Sequence, residues 1–280
     1  MKTFCVLDPN LPDHGANGFC ALAVMTKAPQ AGRVKTRLVP PLTPEQAAEL
    51  NRCFLRDTAA AISIACSLRP ACPPKPRRRR VGHATKMPLE HAGASHSEAA
   101  TAACGIAAYT PVGAESVYTD ILPDDFILLP QRGDKFGERL YFAVEDLFKC
   151  GFESVCLIDS DSPTVPAQNF AKAVELLSTS TDRVVLGPSD DGGYYLIGVK
   201  QQHRHLFEQI DWSTERVLNQ TIQRATEIGL EVKLLPTGYD VDDDASLRRL
   251  CDELLVGQRD NSVASNTRRF LADLVEQKKL

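Results

Sequence analysis

The sequence predicts an α/β fold with a mostly parallel sheet covered by helices on both faces, and three observations support that expectation. Residues 19–26 form an apolar run without alternation, which suits a strand buried on both faces of a parallel sheet. From there to about Leu235, strand-like and helix-like stretches alternate, as in a sheet built from βα units. The composition, 43% hydrophobic and 24% charged over 280 residues, is that of a chain able to bury one substantial core.

The elements follow in order. After the first strand comes a polar loop, then Thr43-Pro44-Glu45-Gln46, a capping box with proline at the first helical position. Ala47, Leu50, Phe54, Ala61 and Ile62 supply the apolar stripe of the helix that follows. Strands over 106–110 and 126–129 lead to a helix opened at Gly133-Asp134, running through Phe148 and stopped by Gly151. Residues 154–158 read as a buried strand, 167–177 as a helix, and 183–186 and 194–199 as strands. A helix over 214–228, stopped by Gly229, precedes a last strand over 232–235. Between about Leu68 and Cys104, prolines, the run Arg77 to Arg80 and a stretch of Ala, Ser, His and Gly replace periodicity, so a disordered insertion is expected over 68–104. The domain reading is an N-terminal extension over 1–18, one domain over 19–257 carrying that insertion, and a C-terminal helix or tail over 258–280.

Charge and cysteine usage narrow the function classes. Thirty-six acidic against 32 basic side chains leave a net charge of -4, so no global footprint for DNA or RNA exists and an anionic ligand must be held locally. The arginine run reads as a solvated loop. The nine cysteines include no C-x-x-C pair and no histidines at zinc-finger spacing, so reduced thiols are expected. Asp8, Pro9, Pro12 and Asp13 interrupt the N-terminal apolar stretch before a signal-peptide core could form, and no apolar run approaches bilayer length. The expectation is a cytoplasmic protein without a nucleic-acid or membrane partner; its oligomeric state is not legible in the sequence.

Four segments carry candidate chemistry. The loop over 27–38 follows the first strand, and in an open α/β sheet ligands bind beyond the carboxyl ends of the strands. Its Gly32 permits close backbone approach to an oxyanion, and Lys35 and Arg37 point to one side if the segment is extended. The P-loop pattern is absent, and a solvated basic loop is the alternative. Asp159 and Asp161 lie two apart directly after the apolar strand ending at Ile158, where both can face one way and offer oxygen ligands to Mg²⁺ or Mn²⁺. Turn and cap roles are the alternative there. The turn over 187–195 reads as a hairpin, and function would require Asp190 or Asp191 to face the cleft of Asp161. In 239–244, Asp244 can cap the helix containing Leu247 and Leu250, leaving Asp240 and Asp242 available to a metal. None of the six histidines falls in a patterned site, and no G-x-S-x-G elbow occurs, which disfavours Ser-His-Asp hydrolase chemistry.

Taken together, K-A-P-Q-A-G-R-V-K-T-R-L at 27–38, Q-R-G-D-K-F-G-E-R-L at 131–140, D-S-D-S-P-T-V-P at 159–166, G-P-S-D-D-G-G-Y-Y-L at 187–196, Trp212-Ser213-Thr214 and D-V-D at 240–242 resemble a known family. It is the GT-A-like transferases, often described only as domains of unknown function or as glycosyltransferases, with phospholactate and molybdenum-cofactor guanylyltransferases among their relatives. The resemblance runs from Phe19 to about Leu255. It implies a three-layer, Rossmann-like GT-A fold, the nucleotide-diphospho-sugar transferase fold. It also implies that Gly32, Lys35, Thr36 and Arg37 hold the nucleotide, and that Asp161 is the main ligand of Mg²⁺ or Mn²⁺ with Asp242 as a second. Asp159 is a further metal candidate, although the pattern favours glycine there. Asp191 would face the acceptor or donor group and act with Lys35 and Arg37 in catalysis. For Gln131 and Arg139 a structural role is the expectation.

The leading functional expectation is metal-dependent nucleotidyl transfer from a nucleoside triphosphate to a small phosphorylated or hydroxylated acceptor. Glycosyl transfer from a nucleoside-diphosphate sugar uses the same metal-diphosphate arrangement and stands second. A nucleotide-binding regulatory protein without turnover stands third, since fold alone does not establish activity.

Overall fold

In the computed structural model, residues 3–11, 16–68, 102–257 and 262–277 are described. The elements run β1 (Cys5–Val6), β2 (Phe19–Lys27), α1 (Pro44–Ser67), β3 (Ala102–Thr110), β4 (Ile127–Pro130), α2 (Phe136–Lys149) and β5 (Ser154–Ile158). They continue with α3 (Ala167–Leu177), β6 (Arg183–Pro188), β7 (Tyr194–Val199), α4 (Val217–Glu227), β8 (Glu231–Leu234), α5 (Asp244–Cys251) and α6 (Ser265–Glu276). The strands form one eight-stranded sheet in the order β1-β4-β3-β2-β5-β7-β6-β8. Every pairing is parallel except those of β7, which is antiparallel to both β5 and β6.

The alternation of side chains along β2 explains the three layers. Cys20, Leu22 and Val24 face one side, where they pack with Leu55, Ala59 and Ile62 of α1 and Phe170 and Val174 of α3. Ala21 and Ala23 face the other, against Leu140, Val144 and Leu147 of α2 and Ala225 of α4. With both faces covered, β2 can be apolar at nearly every position, and Leu22 and Val24 are fully buried. Each such side chain contributes roughly 1.5–3 kcal/mol by leaving water. A third cluster lies beside the sheet, where Leu38, Leu42, Leu50 and Phe54 meet Leu247 and Leu250 of α5 and Leu271 and Leu274 of α6.

Local signals set the starts of several elements. Thr43 accepts from the Gln46 amide while the Gln46 side chain accepts from the Thr43 amide, the capping box expected for α1. For α5 the cap is Asp243, not Asp244: its carboxylate accepts from the Ser246 amide at 2.8 Å. The N-cap residue of α6, Ala264, makes no side-chain cap; Asp57, buried on α1, accepts from the amides of Asn266 (3.0 Å) and Thr267 (2.9 Å).

The structure departs from the sequence expectation in places that have physical reasons. The stretch expected as an N-terminal extension contains β1, which adds a strand to the sheet edge beside β4. The expected insertion over 68–104 falls mostly outside the described residues, as does its arginine run, but 102–104 already belong to β3. Ala102, Ala103, Cys104 and Gly105 lack the bulky β-branched signal because space is short, and a Cβ on Gly105 would sit 2.7 Å from the Phe126 ring. α2 starts at Phe136 rather than 133, because Gly133 takes a positive φ of 103° and Glu138 reaches back to the amides of Asp134 and Lys135. α4 starts at Val217 rather than 214, after Ser213 in the left-handed region.

Candidate functional site

The carboxyl ends of β2 and β5 lie side by side, since Val24 pairs with Ile158. The loops that leave them meet there. Lys35 adopts the left-handed conformation (φ 47°, ψ 38°) and begins a short 3₁₀ turn, Thr36–Leu38, anchored by the fully buried Leu38. The segment is therefore not extended, and the premise that Lys35 and Arg37 alternate along a strand does not hold. They diverge: the Lys35 side chain is 4% exposed and that of Arg37 71%.

Lys35 is the hub of the site. Its ammonium donates to Asp161 Oδ1 (2.9 Å), Asp242 Oδ1 (2.8 Å) and the Val241 carbonyl (2.8 Å), with the Phe54 ring 5.5 Å away. Burial works to lower the Lys35 pKa, but the Asp161 and Asp242 carboxylates outweigh it and raise the net value, keeping the ammonium charged. The two carboxylates come from separate segments fastened by a backbone bond from the Val241 amide to the Asp161 carbonyl (3.0 Å). The Asp242 amide donates to Ser246 Oγ (3.0 Å), tying the carboxylate to the capped start of α5. Burial favours the neutral form of Asp242, yet Lys35 and Arg37 prevail and hold its carboxyl below the usual range. Arg37 Nη2 completes the cluster at 2.5 Å from Asp242 Oδ2.

The other acidic candidates are placed differently. Asp159 turns to Ser162, whose hydroxyl donates to it at 2.8 Å. Burial and the Asp161 charge push its carboxyl well above the ordinary range. Asp240 accepts from Ser189 Oγ (3.3 Å), and burial with the charges of Asp191 and Asp242 pushes it up to about 6. The 187–195 segment is the hairpin joining β6 to β7. Its turn presents Asp191 to the cleft that Asp161 lines, while Asp190 turns away to pair with Arg249. Gly192 makes this possible: at φ 89°, a Cβ there would lie 2.2 Å from the Glu215 carbonyl oxygen.

Two cavities flank the Lys35 cluster. The smaller, about 250 Å³, is lined by Lys27, Arg33, Lys35, Thr36, Arg37 and Asn51 together with Asp161 and Asp242. Gly32, at φ 72° in the exposed turn before it, is not among the residues lining either cavity. The larger, about 460 Å³, is lined by Asp159, Asp161, Asp191, Asp240 and Asp242 and by a largely apolar set that includes Phe136, Leu140, Tyr194 and Trp212. Phe136 and Trp212 meet edge to face with centroids 5.3 Å apart. Sequence reasoning gave no role to this apolar set or to Asn51. The signal available for the set was that Trp212 is the one tryptophan of the chain and stands next to Ser213-Thr214. Gln131 and Arg139 serve the backbone, Gln131 donating to the carbonyls of Thr26 and Ala108 and Arg139 to that of Gly133.

This architecture matches solved structures. A protein assigned as a nucleotide-diphospho-sugar transferase, from Desulfovibrio desulfuricans G20, superposes with a TM-score of 0.70 at 24% identity, covering 93% of this chain and 96% of its own. The chain has the GT-A-like, nucleotide-diphospho-sugar transferase fold. Within that fold it also matches, over residues 95–214, a family described as "Uncharacterized protein conserved in bacteria (DUF2064)". More distant matches include CMP:2-keto-3-deoxy-manno-octonic acid synthetase complexed with CTP (TM-score 0.45, 10% identity, 83% of this chain and 96% of that one). Another is Rv0371C of Mycobacterium tuberculosis H37Rv complexed with manganese (TM-score 0.39, 12% identity, 83% and 97%). No curated protein sequence matches the chain. Among the described residues no helix is long and apolar enough to cross a membrane, and the eight described cysteines are free thiols.

Proposed function

We propose that the chain is a metal-dependent nucleotide-utilising transferase that moves a nucleotidyl group from a nucleoside triphosphate to a small acceptor. The observation that carries the reading is the convergence of Asp161 and Asp242 on one cationic point, between a basic cavity and a larger one lined by carboxylates and aromatic rings. The donor set fits a divalent ion. Mg²⁺ takes one or two carboxylates and fills its remaining positions with water and phosphate oxygens. Asp161 and Asp242 would hold Mg²⁺ or Mn²⁺, and Asp159 stands beside them as a further candidate. When bound, the ion supplies charge stabilisation for the phosphates and the departing pyrophosphate.

The chain's own residues have distinct parts. Lys35, Arg37 and Thr36, with Lys27 and Arg33, line the cavity suited to a phosphate chain, and Gly32 lets the preceding turn adopt its shape. Lys35 and Arg37 stabilise the negative charge that grows on the leaving group, which is where electrostatic preorganisation contributes most. Asp191 faces the acceptor side. Glycosyl transfer from a nucleoside-diphosphate sugar would use the same carboxylates, so the product decides. Incubation with a nucleoside triphosphate, Mg²⁺ and a pool of small acceptors should release pyrophosphate. Release of a nucleoside diphosphate from sugar nucleotides, with triphosphates ignored, would replace this reading by glycosyl transfer. Nucleotide binding without either product would leave a regulatory protein.

A further inference from the structure

The larger cavity has a chemistry that selects its occupant. Among the described residues six carboxylates line it with one cation, Arg37, which is mostly exposed and already paired with Asp242. A phosphate monoester carries a charge of about -1.5 to -2 near pH 7 and would meet the carboxylates of Asp191, Asp240 and Glu215, while the ion that Asp161 and Asp242 would hold serves the phosphates of the nucleotide. Ionised carboxylates only accept hydrogen bonds, so they recognise donors. Hydroxyls of Ser189, Ser213 and Thr214 also line the space, and these both donate and accept. Ser189 already donates to Asp240 and Thr214 to the Asp211 carbonyl, so Ser213 is the donor that an ammonium, which donates only, would leave unanswered, whereas a hydroxyl group answers both kinds. The lining also includes the edge-to-face pair of Phe136 and Trp212, an apolar surface suited to the C–H face of a ring or carbon chain.

We propose that the larger cavity binds an uncharged polyhydroxylated acceptor, a sugar or sugar alcohol, in preference to a phosphorylated one. The inference rests on the nucleotidyl-transfer reading for the reaction that follows, but not for the binding itself. In that reaction an acceptor hydroxyl oxygen forms a bond to the α-phosphorus of the nucleoside triphosphate. The bond from that phosphorus to the bridging oxygen breaks, pyrophosphate leaves with the electron pair, and the hydroxyl proton passes to the Asp191 carboxylate.

Trp212 provides the test, because it is the one tryptophan in the chain and lines the cavity. Its fluorescence is titrated, in buffer containing Mg²⁺ and no nucleotide, with matched sets of probes: glucose, glucose 1-phosphate and glucosamine; ribitol and ribitol 5-phosphate; glycerol and glycerol 3-phosphate. The expected result is a saturable change with at least one neutral member, at least tenfold tighter than its phosphate ester and tighter than its amine. Phe136→Ala, at a position 55% exposed and so tolerant of truncation, should weaken that binding at least threefold. Asp191→Asn should weaken it as well. Equal or tighter binding of a phosphate ester, tighter binding of the amine, no saturable change with any neutral member, or an unchanged affinity in both variants overturns the proposal. Binding of neutral members with no pyrophosphate release on adding triphosphates would instead defeat the nucleotidyl-transfer reading and leave the acceptor class standing.

Discussion

Replacing Lys35 by Met keeps most of the side-chain volume and removes the charge that holds Asp161 and Asp242 together. Both Oδ1 atoms contact the same nitrogen, at 2.9 and 2.8 Å, so they lie no more than about 5.7 Å apart. Two unit charges at that distance repel by about 3 kcal/mol at an effective dielectric of 20 and about 0.7 kcal/mol in water. The Asp side chains are 35% and 36% exposed, so solvent screens part of this, and a loss of about 1–2 kcal/mol is expected in EDTA. For a chain of this size that is a fall in Tm of roughly 2–8 °C. Added Mg²⁺ should then stabilise Lys35→Met more than the parent, because a divalent ion no longer competes with the ammonium for the two carboxylates. Thermal unfolding of both proteins across a Mg²⁺ series measures the effect. An unchanged Tm in EDTA, or equal Mg²⁺ shifts in the two proteins, would refute the view that Lys35 and a metal share these ligands.

Asp161→Ala should reduce Mg²⁺-dependent nucleotide affinity by roughly 100-fold or more while leaving the far-UV circular dichroism unchanged, and calorimetric titration gives the comparison. Gly192→Ala places a Cβ 2.2 Å from the Glu215 carbonyl in a left-handed conformation, so urea unfolding should show a loss of about 2–4 kcal/mol. Asp57→Ala uncaps α6 from a distance, leaving the amides of Asn266 and Thr267 without their acceptor. It should cost roughly 1–2 kcal/mol and speed hydrogen exchange in 265–276 ahead of the rest of the chain. Burial pushes the Cys53 and Cys251 thiols up to about 11 and Cys150 up to about 12, so these three should remain protonated at pH 8 and alkylate much more slowly than free cysteine.

The parts of this account that were legible in the sequence are those encoded locally. β2 and β5 are uninterrupted apolar runs because α1 and α3 cover one face and α2 and α4 the other, so burial wrote itself into consecutive residues. The strand-end position of Asp161 and the D-V-D containing Asp242 could be read for the same reason. Their meeting was implied by the family resemblance and not by spacing, since it depends on a backbone bond from Val241 to Asp161 and on a lysine with positive φ. Spacing suggested that Lys35 and Arg37 act as a pair on one side of a strand. The 3₁₀ turn that follows Lys35 buries one and exposes the other. The aromatic lining was hidden because it joins distant segments: Trp212 lies against Gly137, where a Cβ would come within 2.4 Å of the indole nitrogen, and beside Phe136. The first residues of β3 were missed because small side chains that let Phe126 approach look, in a one-dimensional pattern, like no strand at all.

The central claim, nucleotidyl transfer at the Asp161, Asp242 and Lys35 cluster, is tested most directly by identifying the product released from substrate. The protein is incubated with Mg²⁺, the four common nucleoside triphosphates and a pool of neutral sugars and sugar alcohols, and in parallel with nucleoside-diphosphate sugars and the same acceptors. Phosphorus NMR follows both mixtures. The expected result is pyrophosphate and a new phosphodiester signal from the first mixture only, both lost in Asp161→Ala. Nucleoside diphosphate from the second mixture, with the triphosphates untouched in the first, would contradict it.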